Sequence, residues 1–263
     1  MSASAAVSEP QLSVRDVAVH FGGILALDGV RFDLQRGQIL GLIGPNGAGK
    51  TTLFNCLSRL YTPVSGDIIY KGGSILSSPA HRMPRIGIGR TFQNVSLFRQ
   101  LSVRDNIRIG AHSKSRSDMF SDSLALPWVR RQEKHIDLIT AELIEYLDLA
   151  DVADLPVNGL PFGTQKRVEL ARALAIEPGL LLLDEPAGGL NHEEVAELGR
   201  LIRHIRDDRE VTVLLVEHHM GLVMSVSDKV VVLNFGRKIA EGAPAEVQNN
   251  PDVIAAYLGG SAH

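Results

Sequence analysis

Apolar and polar residues alternate along 12–21 and 30–34, the pattern of strands with one buried face. Residues 38–43 form a short apolar run with a glycine on either side of its last turn, which predicts a strand buried on both faces, and 49–60 follow as a helix. Two apolar runs, 180–183 and 211–216, the second with Thr212 as its one polar residue, predict further buried strands. The runs 229–233 and 237–240, joined by Asn234-Phe235-Gly236, predict a hairpin. Spacings of three and four residues place Ile136, Ile139, Leu143, Ile144 and Leu147 on one face of a helix over 133–149. Val195, Leu198, Leu201, Ile202 and Ile205 do the same over 192–205. Helices are also predicted over 168–176, over 251–258, and from Ser102, with Asp105 as its capping partner.

Strands alternating with helices predict an α/β fold whose mostly parallel sheet carries helices on both faces. An antiparallel β region is expected at its N-terminal side. Residues 94–163 read mainly as helix and interrupt the alternation, so a helical subdomain inserted in one domain over 11–263 is expected. Residues 112–132 turn from Ser and Asp to LALPWVRRQ without a period and predict an irregular insertion. Two readings of it stay open: a docking surface around Trp128, or a mobile loop with one packed Trp. Residues 1–10 are small and polar, and a flexible tail is expected there.

Composition narrows the class. Apolar residues make up 44% and charged residues 22% of 263, an ordinary globular balance able to bury a sizeable core. The net charge of −3 gives no basic field for nucleic acid, and no nucleic-acid partner is expected. A single cysteine, Cys56, suits a reducing compartment. Residues 211–233 are the most apolar stretch, but Glu217, His218, His219, Asp228 and Lys229 break it, short of the roughly 18 residues a spanning helix needs. MSASAAVSEP lacks the basic and apolar parts of a secretory signal, so a cytoplasmic chain is expected.

Candidate chemistry starts at Gly44-Pro45-Asn46-Gly47-Ala48-Gly49-Lys50-Thr51-Thr52, which satisfies G-x-x-x-x-G-K-S/T after a strand and at a helix start. Glycines let successive N–H groups turn inward on phosphate oxygens, and the helix start adds the positive end of its dipole. Lys50 brings a point charge to the outer phosphates, and the Thr51 hydroxyl is a ligand for Mg²⁺. Chance would produce this pattern in such a chain on the order of once in a hundred, so ATP with Mg²⁺ is the expected cofactor. The glycine spacing does not suit a dinucleotide.

A second group closes the apolar run 180–183. Asp184 at the strand mouth can hold Mg²⁺, and Glu185 can polarise an attacking water as general base. At the end of the next strand, Glu217-His218-His219 puts imidazoles at a carboxyl edge, where α/β sheets bind ligands. His218 there suits a γ-phosphate contact. Metal binding competes for the pair, but no H-E-x-x-H or spaced Cys/His set accompanies it.

These motifs in this order resemble the ABC ATPase family over nearly the whole of 12–258. The resemblance implies that Phe21 stacks on adenine and that Gln93, in Arg90-Thr91-Phe92-Gln93, reaches Mg²⁺ and senses a membrane partner. It implies that Leu160-Pro161-Phe162-Gly163-Thr164-Gln165 is the signature loop, with Gly163 capping the γ-phosphate bound by an opposite subunit. Gly188-Gly189-Leu190-Asn191 is similar to the loop at the dimer seam. Two positions depart from the pattern. Proline at 161 replaces the signature serine and offers neither hydroxyl nor N–H, and Asn191 replaces an aspartate.

The segment GRTFQNVSLFRQLSVRDNI, the insertion after it and the ending EGAPAEVQNNPDVIAAYLG look like the ATPases of importers for branched-chain amino acids and related amides or urea. The implied partners are integral membrane transporter subunits, a second ATPase subunit (a copy or a sister chain) and an extracytoplasmic substrate-binding protein. The implied location is peripheral, on the inner face of the cell membrane. Competing readings are the ATPase of a lipid or lipopolysaccharide exporter, a soluble ABC ATPase outside transport, and a GTPase switch. The last would need an N-K-x-D motif, which is absent.

Overall fold

A computed structural model describes residues 9–91, 96–114 and 127–259. The chain divides into two compact units, one made of residues up to 80 and from 196 onward, the other of 81–195.

The first unit opens with β1 (Leu12–Phe21) and β2 (Ile24–Leu34), an antiparallel pair that continues through β4 (Ser65–Tyr70) to β5 (Gly73–Ser74) in the order β2-β1-β4-β5. The alternation in β1 slips at Asp16, whose φ of 46° accompanies a break in register between Val14 and Val17. The second strand begins six residues before the expected Val30, because its start, Ile24 and Leu25, is exposed and carries no alternation. β3 (Ile39–Ile43) is wholly buried and pairs in parallel with β8 (Thr212–Val216) and β9 (Lys229–Asn234). Burying each of these Leu, Ile and Val side chains contributes about 1.5–3 kcal/mol. β10 (Arg237–Gly242) returns antiparallel to β9 as the expected hairpin.

Helix α1 (Lys50–Leu57) stops short of the expected Leu60, because Arg59 takes a left-handed φ of 61°. Sequence periodicity did not yield α7 (Met220–Val226) and α8 (Pro244–Gln248), each too short for a readable period, whereas α9 (Pro251–Gly259) falls where expected.

In the second unit, β6 (Ile88–Arg90) pairs in parallel with β7 (Leu180–Asp184), and α2 (Met83–Ile86) leads into β6. α3 (Val103–His112) is capped by Ser102, whose Oγ accepts the Asp105 N–H at 3.0 Å, as expected. α4 (Pro127–Tyr146) corrects the expected irregular stretch through Gln132. Proline suits a first helical turn, and that turn shows no apolar period because Arg130 and Arg131 are exposed. The rest of the insertion, 115–126, and the Trp128 side chain lie outside the described residues. α5 (Phe162–Leu174) starts six residues before the expected Val168, from a cap at Pro161, because its first turn, Phe162 to Gln165, is exposed or half-buried and carries no apolar period. α6 (His192–Arg209) begins in this unit and continues into the first.

Candidate nucleotide site

The parallel pairing of β3 with β8 sets Leu42 beside Val216, so the glycine turn after Ile43 and the residues after Val216 leave one edge of the first unit. At the turn, Gly44 has φ 154°, and a Cβ there would sit 2.2 Å from the Leu233 carbonyl oxygen. Gly49 has φ 99°, and a Cβ there would lie 2.7 Å from the Ala26 carbonyl oxygen. Only glycine fits either place. Gly47 is also left-handed, at 77°. Ala48 is buried, and its carbonyl accepts the Gly236 N–H at 3.0 Å, while its own N–H donates to Pro45 at 3.2 Å. Asn46 and Thr51 are exposed, and Thr52 is half-buried.

Lys50 begins α1 and is buried. Its Nζ donates to the Gly44 carbonyl at 2.7 Å and the Pro45 carbonyl at 3.0 Å, so the ammonium lies over the turn. The first N–H groups of α1 have no acceptor within the helix and present a positive end beside it. A buried cation, a ring of turned peptides and two threonine hydroxyls suit a triphosphate. The Tyr257 hydroxyl of α9 hydrogen-bonds to the Gly44 backbone, and burial, the larger influence, pushes its pKa up.

Glu217 is fully buried, and its Oε2 accepts the N–H groups of His218 at 3.0 Å and His219 at 3.1 Å. That clamp fixes the peptide carrying His218, whose ring is 65% exposed with Nδ1 3.9 Å from Glu217 Oε2. His219 is turned to a different task. Its Nδ1 accepts the Leu222 N–H at 3.2 Å and caps α7. Among the described residues, no group of three or more His, Cys, Asp or Glu side chains is placed to hold a metal ion.

Phe21 ends β1, paired with Ile24 across Gly22-Gly23. Its ring stands edge-on to Tyr61, with centroids 5.2 Å apart and planes at 72°.

The second unit carries the carboxylates. Asp184 closes β7 at 4% exposure, and its N–H donates to Thr91 Oγ1 at 3.3 Å. Arg90, on the neighbouring strand at the end of β6, donates from Nη2 to Asp184 Oδ2 at 3.1 Å. Burial, the largest influence, raises the Asp184 pKa, and the guanidinium pulls it back in part. Glu185 has φ 46°, a left-handed conformation that non-glycine residues seldom adopt, and its carbonyl accepts the Gly188 N–H at 3.1 Å. Such local strain is characteristic of functional turns.

Within the same unit, the loop at 160–165 packs on the turn at 188–191. A Cβ on Gly189 would meet the Phe162 ring at 2.8 Å, and one on Gly163 would meet Glu194 Oε1 at 2.8 Å. Asn191 and Glu194 cap α6 reciprocally: Asn191 Oδ1 accepts the Glu194 N–H at 3.0 Å, and Glu194 Oε2 accepts the Asn191 N–H at 2.8 Å. Gln93 lies outside the described residues. Sequence reasoning missed Arg90, the Glu217 clamp, Tyr61 and Tyr257. Only Arg90, three residues before Gln93 in a quoted motif, carried any signal.

Residues 27–188 match the family model described as ABC transporter, and 237–263 match that described as branched-chain amino acid ATP-binding cassette transporter. The high-affinity branched-chain amino acid transport ATP-binding protein LivG of Escherichia coli K12 is 42% identical over 253 residues, 96% of this chain and 99% of its own length. BraF of Pseudomonas aeruginosa, of the same description, has the same identity and coverage. Among solved structures, the ADP conformation of MJ1267, an ATP-binding cassette of an ABC transporter, superposes with a TM-score of 0.83 at 26% identity, covering 96% of this chain and 100% of that one. A nucleotide-free cassette from an ABC transporter gives 0.82 at 26% identity, covering 95% and 99%.

Proposed function

The chain belongs to the ABC transporter ATPase family, and from that premise we propose that it powers an importer of branched-chain amino acids or related amides. The observation that supports this cargo is the match of residues 237–263 to the C-terminal segment of branched-chain amino acid cassettes, beyond the general match at 27–188.

In this reading, residues 44–52 cradle the phosphates of ATP. Lys50, already desolvated over Gly44 and Pro45, turns its charge to the outer phosphate oxygens. Thr51, with its exposed hydroxyl, and the Asp184 carboxylate are hard oxygen donors of the kind Mg²⁺ takes, and Gln93 joins them by its motif. When bound, Mg²⁺ supplies neutralisation of charge on the phosphate oxygens. Glu185 orients the attacking water and accepts its proton. His218, held by the Glu217 clamp, contacts the γ-phosphate. Phe21 stacks on the adenine, and Gly163, at the start of α5, serves the nucleotide of an opposite subunit.

Among the described residues no helix is long and apolar enough to cross a membrane. The proposed partners are integral membrane subunits, a second ATPase subunit and an extracytoplasmic binding protein, with this chain peripheral on the inner face. Affinity capture of the chain from detergent-solubilised membranes, with mass identification of what accompanies it, tests this. Integral membrane subunits and uptake of leucine, isoleucine or valine into vesicles carrying the complex are expected. Capture without membrane proteins would overturn it.

A further inference from the structure

The aromatic pair Phe21–Tyr61 is unusual in where it stands. Both residues are large and aromatic, yet they are 44% and 40% exposed, although burial would stabilise each. They touch each other instead, edge to face at 5.2 Å. That arrangement leaves a ring face open to a third planar group.

The backbone under Tyr61 is held from several sides. The N–H groups of Leu60 and Tyr61 both donate to the Asn55 carbonyl, at 2.8 and 3.2 Å. Arg59 donates to the carbonyls of Tyr61, Ser78 and Leu76, at 3.3, 3.1 and 2.6 Å. Phe21 is placed differently: it is the last residue of β1, paired with Ile24 across Gly22 and Gly23 at φ 52° and 95°. The same hairpin passes over the cradle, since a Cβ on Gly49 would meet Ala26 of β2. Tyr61, on a backbone held by Asn55 and Arg59, therefore braces the Phe21 ring at the end of the hairpin.

We propose that Tyr61 is a positioning residue for the nucleotide base, its ring fixing the tilt at which Phe21 presents a face to adenine. This rests on the reading of Phe21 as the adenine platform. An edge-to-face pair contributes enough to alter base binding by roughly 2- to 12-fold, and stacking of a base on an aromatic ring by roughly 5- to 150-fold.

The test is equilibrium binding of Mg-ATP and of Mg-tripolyphosphate, which has no base, to the full chain and to Phe21→Ala, Tyr61→Ala, Tyr61→Phe and the double alanine variant. Phe21→Ala is expected to weaken ATP by roughly 5- to 150-fold and Tyr61→Ala by roughly 2- to 12-fold. Tyr61→Phe should restore wild-type affinity, tripolyphosphate binding should not change, and the double variant should bind ATP no more weakly than Phe21→Ala. If Phe21→Ala binds ATP normally, the platform reading itself is wrong. If Phe21→Ala weakens ATP while Tyr61→Ala does not, only the role of Tyr61 falls. Equal losses of ATP and tripolyphosphate in Tyr61→Ala, or additive losses in the double variant, would also overturn positioning through Phe21.

Discussion

Arg90 and Asp184 form an ion pair of 3.1 Å with side chains 13% and 6% exposed, one at the end of each strand of the second unit's parallel pair. Burial raises the carboxyl's pKa above its ordinary 3.8, and the guanidinium restrains that rise. A group whose folded pKa is raised contributes stability below its unfolded value and loses it as pH rises through the folded one. Arg90→Met removes the restraint, so the carboxyl should hold its proton to higher pH. Breaking a buried pair costs roughly 3–5 kcal/mol when the remaining charge stays ionised. Thermal unfolding should therefore show a larger deficit for Arg90→Met at pH 8 than at pH 5. A deficit that does not depend on pH would contradict this account of the pair.

Lys50→Ala should weaken Mg-ATP binding by roughly 10- to 150-fold, the worth of one hydrogen bond from a charged donor. Isothermal titration checks it, with tripolyphosphate as a second ligand that should lose affinity to the same degree. Unchanged affinity for both would remove Lys50 from the cradle.

The hydrogen bond between Tyr257 and the Gly44 backbone joins the C-terminal helix to the first residue of the glycine turn. Val253, one helical turn earlier, packs in the cluster that contains Ile43. A typical net hydrogen bond contributes about 0.5–1.5 kcal/mol, so Tyr257→Phe should speed amide exchange at Gly44 by roughly 2- to 12-fold. Exchange at the wild-type rate would show that the hydroxyl does not hold the turn.

Much of this was legible in the sequence, and the reasons differ by element. The buried strands at 39–43, 180–184 and 212–216 announce themselves as apolar runs, because both faces of a central parallel strand are covered. The turn at 44–49 was legible through its glycines, which stand at positions of positive φ. Gly44 and Gly49 are held to that by carbonyl oxygens of Leu233 and Ala26, far off in the chain. The first turns of α4 and α5 were not legible, since exposed turns carry no period. Nor were the partners of Asp184 and Phe21: whether Arg90 or Tyr61 faces them is decided by tertiary packing, not spacing.

Pro161 caps α5 with no hydroxyl to offer a phosphate, whereas Asn191 makes the same reciprocal cap with Glu194 that an aspartate would. In the proposed function, the weakened half is therefore the loop at 160–165. We expect the working complex to pair this chain with a sister ATPase that has a serine there. Native mass measurement of the solubilised complex should find one copy of this chain beside a second ATPase. Two copies of this chain alone would contradict it.

The most direct measurement is of Glu185→Gln, taken as turnover and as Mg-ATP affinity on the same preparation. Glutamine keeps the size and hydrogen bonding of the side chain but cannot accept the proton of the attacking water. Hydrolysis should fall by roughly 10²- to 10⁴-fold while ATP still binds with wild-type affinity. Hydrolysis near the wild-type rate would contradict the assignment of Glu185 as the general base, and with it the account of how this chain spends ATP.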